Sequence, residues 1–192
     1  MTKHCQPNYP NSPKNLQSII GGTIWDLNAY MKPYWGNMAS DISALESKVK
    51  LNQQVYFNRQ KSFLNTQGLL VVQTVTKYPI VGINNKTIGV LSSGEIITNQ
   101  LNLFELFNQY LQLYSDNYQA RLYFLIHLGI DKKFYEFPTT QEIKVLIAKK
   151  IYHQTKLIAN YLNIEIKTAE SHLYKLKVKL KISLNELIFS IK

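Results

Sequence analysis

Between Ile166 and Leu180 the residues sort into two kinds by their spacing. Ala169, Leu173, Leu176 and Leu180 recur at helical intervals as one apolar stripe, and Lys167, Glu170, Ser171, Tyr174, Lys175 and Lys179 lie opposite them. A helix whose free side carries ammonium groups, hydroxyls and a carboxylate can neutralise phosphates and reach base edges in a major groove about 12 Å wide. The segment just before it, Gln154 to Leu162, predicts a short helix that buries Ile158 and Leu162. Only Asn163-Ile-Glu165 connects the two, and two helices joined so tightly, the second basic on its outer face, have the form of a helix-turn-helix. Its support is predicted on both sides. Thr140 to Ile151 forms a helix with Ile143, Leu146, Ile147 and Ile151 inward, and Ser183-Leu-Asn-Glu186 is a capping box opening a last helix that buries Leu184, Leu187, Ile188 and Ile191.

Other chemistries find no comparable constellation. Cys5 is the one cysteine, so neither an internal disulfide nor a multi-thiolate metal site can form. His4, His127, His153 and His172 are scattered without ligand spacing, and His127, within Leu125-Ile-His-Leu, reads as a satisfied core or interface histidine. Gly21-Gly22 and the lone Gly89 offer no phosphate cradle, and no Ser/His/Asp order or carboxylate pair suggests catalysis. The acidic cluster with Thr and Lys of a phosphorylatable receiver is also missing. The reading is therefore of a protein that is not an enzyme and has neither metal nor cofactor.

The 192 residues suit one medium domain or two small ones, and 45% apolar with 18% charged residues suits a packed chain. The net charge of +10 favours an anionic partner. It rests on 20 Lys and only two Arg, Arg59 and Arg121, so point-charge phosphate binding is well supplied and two-pronged planar recognition is not. From Phe137 to Lys192 ten Lys face four acids, a denser positive balance than in the preceding 136 residues. No run approaches the roughly 18–20 apolar residues that span a bilayer, so no membrane partner is expected and the location is read as cytoplasmic.

The preceding part differs in pattern. Residues 1–14, with Pro7, Pro10 and Pro13, read as a flexible leader. A helix is predicted from Met38 to Lys50 on Ile42, Leu45 and Val49. Leu69 to Val81 reads as a strand, turned at Gly82-Ile-Asn-Asn-Lys into a second strand, Thr87 to Ser93, because Asn84-Asn85 tolerates the left-handed backbone of a tight turn. Helices are predicted over Asn99–Ser115, with Leu103, Phe104, Phe107 and Leu111 on one stripe, and over Gln119–Ile130. Met31, Met38, Trp25, Tyr34, Trp35 and Phe57 are read as core rather than ligand contacts.

Two resemblances follow from these residues. Thr23-Ile-Trp-Asp with Tyr34-Trp-Gly-Asn-Met-Ala, and later Lys77-Tyr-Pro-Ile-Val-Gly-Ile-Asn-Asn-Lys-Thr-Ile-Gly-Val, resemble the opening and final hairpin of a PAS domain over residues 15–98. In a PAS opening two short strands lead into an Asn that starts a helix. The segment between Asn37 and Lys77 is shorter than the usual PAS middle. Glu142-x-x-Val145-Leu146, Thr155-Lys156-x-Ile158-Ala159-x-x-Leu162, Ile164-x-x-x-Thr168-Ala169-x-x-His172 and Leu176-x-x-Lys179-Leu180-x-Ile182 resemble the LuxR/GerE/NarL-type DNA-binding domain over residues 138–190 without gap. That resemblance implies Glu170, Ser171 and Tyr174 toward bases, and Thr155, Lys156, Thr168, His172, Lys175 and Lys179 toward the backbone, with Lys167 on the same face. Tyr152, Leu157, Glu165 and Glu170 stand where that family usually has Gly, an acid, Ser and Lys. Two roles stay open for Glu170, accepting from cytosine N4 or weakening binding, and two for His172, packing or phosphate contact.

The expected fold class is α+β: a PAS-like small antiparallel sheet with helices, then an all-α four-helix LuxR-type helix-turn-helix domain. The expected divisions are a leader at 1–14, a PAS-like sensory or dimerisation domain at 15–98, a helical linker at 99–136 and the DNA-binding domain at 137–192. The expected function is a dimeric, sequence-specific transcriptional regulator of double-stranded DNA, with room for a small-molecule ligand in the PAS-like domain. The competing reading is a protein-interaction or ligand-sensing module whose helix-turn-helix no longer binds DNA.

Overall fold

The computed structural model describes residues 22–65 and 67–191. The leader, Cys5 and the segment 15–21 lie outside the described residues. Two compact units divide at Gln100 and Leu101.

In the first unit, Thr23 opens helix α1 (Ile24–Trp35) through a capping box with Asp26, whose carboxylate accepts from the Thr23 N–H at 2.6 Å. The expected PAS opening strands are thus a helix over this stretch, because Thr23-x-x-Asp26 supplies a helix start that the aromatic residues around it do not override. Gly36, at φ 56°, ends α1, and Asn37 stands at the start of α2 (Met38–Asn52) as the resemblance requires. Strands β1 (Tyr56–Leu64), β2 (Leu70–Val81) and β3 (Thr87–Ile96) make an antiparallel sheet in the order β1-β2-β3. The predicted hairpin is β2–β3. Its turn is closed by the Gly82 N–H donating to Lys86 O at 2.8 Å, with Asn85 left-handed at φ 56°.

The core of this unit joins Leu27 and Met31 of α1, Met38 and Ala39 of α2, and Phe63 of β1. Phe63 pairs with Val71, so the odd-numbered residues of this stretch of β2 face the helices. Farther along that face Lys77 is only 3% exposed, and its ammonium donates to Glu46 Oε1 and Ser92 Oγ, each at 2.7 Å. Met31 and Met38 are core as expected, whereas Trp25 and Phe57 are exposed; the side chains of Tyr34 and Trp35 lie outside the described part. An open groove of about 500 Å³ runs between α2 and β1, bordered by Asn37, Asp41, Lys48, Gln60 and Ser62.

The second unit is helical throughout: α3 (Leu103–Leu113), α4 (Asn117–His127), α5 (Thr140–Ile151), α6 (Thr155–Leu162), α7 (Ile166–Lys179) and α8 (Leu184–Ser190). The helix expected from Asn99 starts later because Asn102 caps it, in a box with Glu105. Its buried residues are Leu106, Phe107 and Tyr110, so the stripe is rotated from the expected one. Helix α4 stops at His127 because Gly129 turns left-handed at φ 67°. The Phe107 and Phe124 rings meet at 4.7 Å, and α3 and α4 both pack on α5. His127 is half-buried with Nδ1 hydrogen-bonded to Tyr110 Oη at 2.9 Å, a satisfied core histidine, and burial pulls its pKa down. Arg121 donates to Pro138 O at 2.6 Å and so fixes the approach to α5. The small antiparallel sheet with helices followed by an all-helical region is the expected fold class. No helix among the described residues is long and apolar enough to cross a membrane.

Candidate nucleic-acid interface

Helix α7 is set in place by three neighbours. Ile143, Leu146 and Ile147 of α5, with Ile158 and Ala159 of α6, are all at most 1% exposed, and Ala169, Leu173, Leu176 and Leu180 are buried as the stripe predicts. Ile151, expected inward, is instead exposed at the end of α5, and Leu162 is only half-buried. Ala159 and Ala169 have no bulk beyond Cβ, which suits the close packing of α6 and α7. Asn163 makes the turn between them in the left-handed region, φ 52° and ψ 50°, and the Ile164 N–H donates back to Ala159 O at 3.0 Å. Glu165 holds the extended N-cap position of α7 without a side-chain hydrogen bond, the poor cap its chemistry predicts.

The far end of α7 is tied by a short antiparallel bridge between Phe134 and Leu180. There the Tyr135 N–H donates to Lys179 O at 2.8 Å and the Lys181 N–H to Lys133 O at 2.9 Å. Lys179, read from sequence on the outer face, turns inward. Its ammonium lies 2.9 Å from Glu136 Oε1 and 3.0 Å from Glu142 Oε2. Burial alone would lower the Lys179 pKa, but the two carboxylates outweigh it and raise the value above that of an ordinary lysine. Burial would likewise raise Glu142, yet the Thr139 N–H and Lys179 bring its carboxyl below the usual range.

Other lysines of this unit are also engaged. Lys149 donates to His153 O, Lys150 to Ile191 O, and Lys181 to Lys132 O. The ammonium groups of Lys156, Lys167, Lys175 and Lys177 are exposed and make no ion pair or hydrogen bond within the described residues. They sit on α6 and α7. The outer surface of α7 therefore presents Lys167, Thr168, Glu170, Ser171, Tyr174 and Lys175, all exposed, with Tyr174 at 70%. Thr155, in the first turn of α6, is half-buried beside exposed Lys156. His172 lies at the edge of the buried stripe, half-exposed, with Nδ1 buried and unpartnered among the described residues. The surface also includes Lys177 and Val178, which sequence reasoning passed over; Val178 is 64% exposed. Its signal was available, since it follows Ser171 by two helical turns and falls outside the buried stripe.

Chemically, this is a convex helical ridge with free ammonium groups, hydroxyls and one carboxylate, held on a packed base. No family model matches the chain, and no curated protein matches it. Among solved structures it is similar to VqmA of Vibrio cholerae in a ligand–DNA complex, at 19% identity over 82% of this chain and 63% of that one, with a TM-score of 0.37. It is similar to the V. cholerae VqmA dimer without target DNA, described with the LuxR-type receptors, at 17% identity over 81% and 63%, TM-score 0.32. It is also similar to a phage VqmA–DPO complex at 17% identity over 79% and 59%, TM-score 0.32. The chain spans about three fifths of the length of the solved structures that it matches.

Proposed function

We propose that the chain is a sequence-specific, dimeric DNA-binding transcriptional regulator that inserts α7 into the major groove. The observation that carries this reading is the sorting of the lysines. Those pointing inward or toward carbonyls fix the helices, while the ammonium groups without a partner among the described residues include three, Lys167, Lys175 and Lys177, along the exposed ridge of α7. Lys156 and Thr155 at the start of α6 flank that ridge as phosphate contacts, and His172 is a further candidate beside it. Residues 137–192 act as the reading domain, 99–136 as the helical link to it, and 15–98 as the sensory or dimerisation part. The groove between α2 and β1 is the place in that part for a small polar ligand.

The test is a fluorescence-anisotropy titration of the purified protein on random and genomic duplex DNA across a salt series. Tight binding that weakens steeply with salt and favours a selected sequence supports the regulator. A second reading, an interaction module that no longer binds DNA, draws on exposed Val178 and Phe189, at 64% and 90%, on two helices of the same unit. It predicts no duplex binding at low salt by the full chain or by residues 137–192.

A further inference from the structure

We infer that Glu170 selects a cytosine in each half-site, an inference that rests on the DNA-binding reading above. Its carboxylate is exposed on the second turn of α7, one turn after Lys167 and one turn before Tyr174, the part of a recognition helix that reaches base edges. It forms no ion pair and no hydrogen bond among the described residues, although Lys167 lies on the same face. Among the described residues it caps no helix, and it is exposed rather than buried. That sets it apart from Glu142 and Glu186, whose carboxylates accept from the N-cap N–H groups of Thr139 and Ser183.

An ionised carboxylate can only accept hydrogen bonds. In the major groove the base-edge donors are cytosine N4 and adenine N6. Adenine N6 lies between two acceptors, its own N7 and the O4 of the paired thymine, and both repel a carboxylate. Cytosine N4 has an acceptor on one side only, the O6 of the paired guanine, and its other flank is the C5–H edge. A carboxylate on this ridge therefore finds one favourable base and is repelled by the acceptor edges of guanine and thymine. Arg121 is engaged with Pro138 O, and no arginine lies on α7, so guanine on the same strand gains no two-pronged partner there.

The experiment is selection from a pool of random-sequence duplexes by the full chain and by its Glu170→Gln and Glu170→Ala variants, with circular dichroism to verify the fold. The wild type is expected to enrich a position restricted to cytosine, with other bases there weakening binding about tenfold or more. Glu170→Gln should move that position to adenine, because an amide can both accept from N6 and donate to N7. Glu170→Ala should lose the preference there. Identical preferences in all three proteins, or variants that bind every duplex more tightly by one common factor, would overturn the inference and leave DNA binding standing. Absence of wild-type binding to any duplex at low salt would overturn the DNA-binding reading and this inference with it.

Discussion

Lys179 Nζ lies 3.0 Å from Glu142 Oε2, so the last turn of α7 is ion-paired to the first turn of α5. Glu142 serves two partners at once, since the same oxygen accepts from the Thr139 N–H at 2.7 Å. With the Glu142 side chain 3% exposed and that of Lys179 13%, the pair is largely shielded from water. Replacing Lys179 by Met should leave a buried carboxylate with its cap bond alone and cost about 3 kcal/mol, the low end for a broken buried pair. Urea denaturation followed by circular dichroism reads this directly. An unchanged midpoint would show that the pair adds nothing.

Substituting Lys167, Lys175 and Lys177 together with Ala should act differently. Their ammonium groups have no partner among the described residues, so stability should change little, each site within about 0.5 kcal/mol. Duplex affinity should fall for all sequences alike, and the log–log salt slope should flatten by roughly 2 to 3, near 0.9 for each phosphate contact removed. Anisotropy at four or more salt concentrations measures the slope. A triple variant with the wild-type slope would remove these lysines from the interface.

Glu165→Ser should stabilise the second unit. The N-cap backbone is already extended at φ −68° and ψ 149°, and Glu165 makes no side-chain cap bond, so a serine hydroxyl can accept from an N–H of the first turn of α7 without backbone change. A gain of about 0.5–1 kcal/mol is expected, visible as a rise of a few degrees in melting temperature. No rise would mean that the charge of Glu165 at the positive helix end already matches a hydroxyl cap.

Stability should fall with acid in two stages. The folded pKa of His127 lies below its ordinary value of 6.5, so the unfolded chain binds more protons between the two values and stability declines as pH drops through that window. Glu142 is also depressed, so its contribution is complete above the ordinary carboxylate value and is lost as pH falls through its lower folded value. Lys179 is raised, and its contribution is present below the unfolded lysine value and lost as pH climbs through the folded one. Melting temperatures from pH 2 to 8 for wild type and His127→Gln separate the stages. The variant should lose the first decline and keep the second.

Much of the second unit was legible because its helix starts are written in local chemistry. Thr139 with Glu142 and Ser183 with Glu186 form boxes that fix α5 and α8, and the stripe from Ala169 to Leu180 fixes which side of α7 is free. The β2–β3 hairpin was legible through Asn85, one of the few residue types that accept a left-handed backbone. Helix α1 was misread although Thr23-x-x-Asp26 is a box of the same kind, because the strands were taken from the PAS resemblance rather than from this local chemistry. Strand β1 was never named, since Asn58, Arg59, Gln60, Lys61 and Ser62 give no apolar alternation. It is a strand through its ladder with β2. Lys179 was placed outward as lying opposite the apolar stripe, and nothing local reveals that Glu136 and Glu142, 43 and 37 residues earlier, come to meet it.

The stitch between Phe134 and Leu180 has a consequence for recognition. Helix α7 is held at its exit by the backbone of residues 133–135, along its side by α5, and at its entry by the left-handed Asn163. Such a helix has surrendered its conformational freedom before any duplex arrives. In the proposed DNA-binding role, contact with a duplex would immobilise a few side-chain tips rather than a segment of chain, and the association would be preorganised instead of coupled to folding.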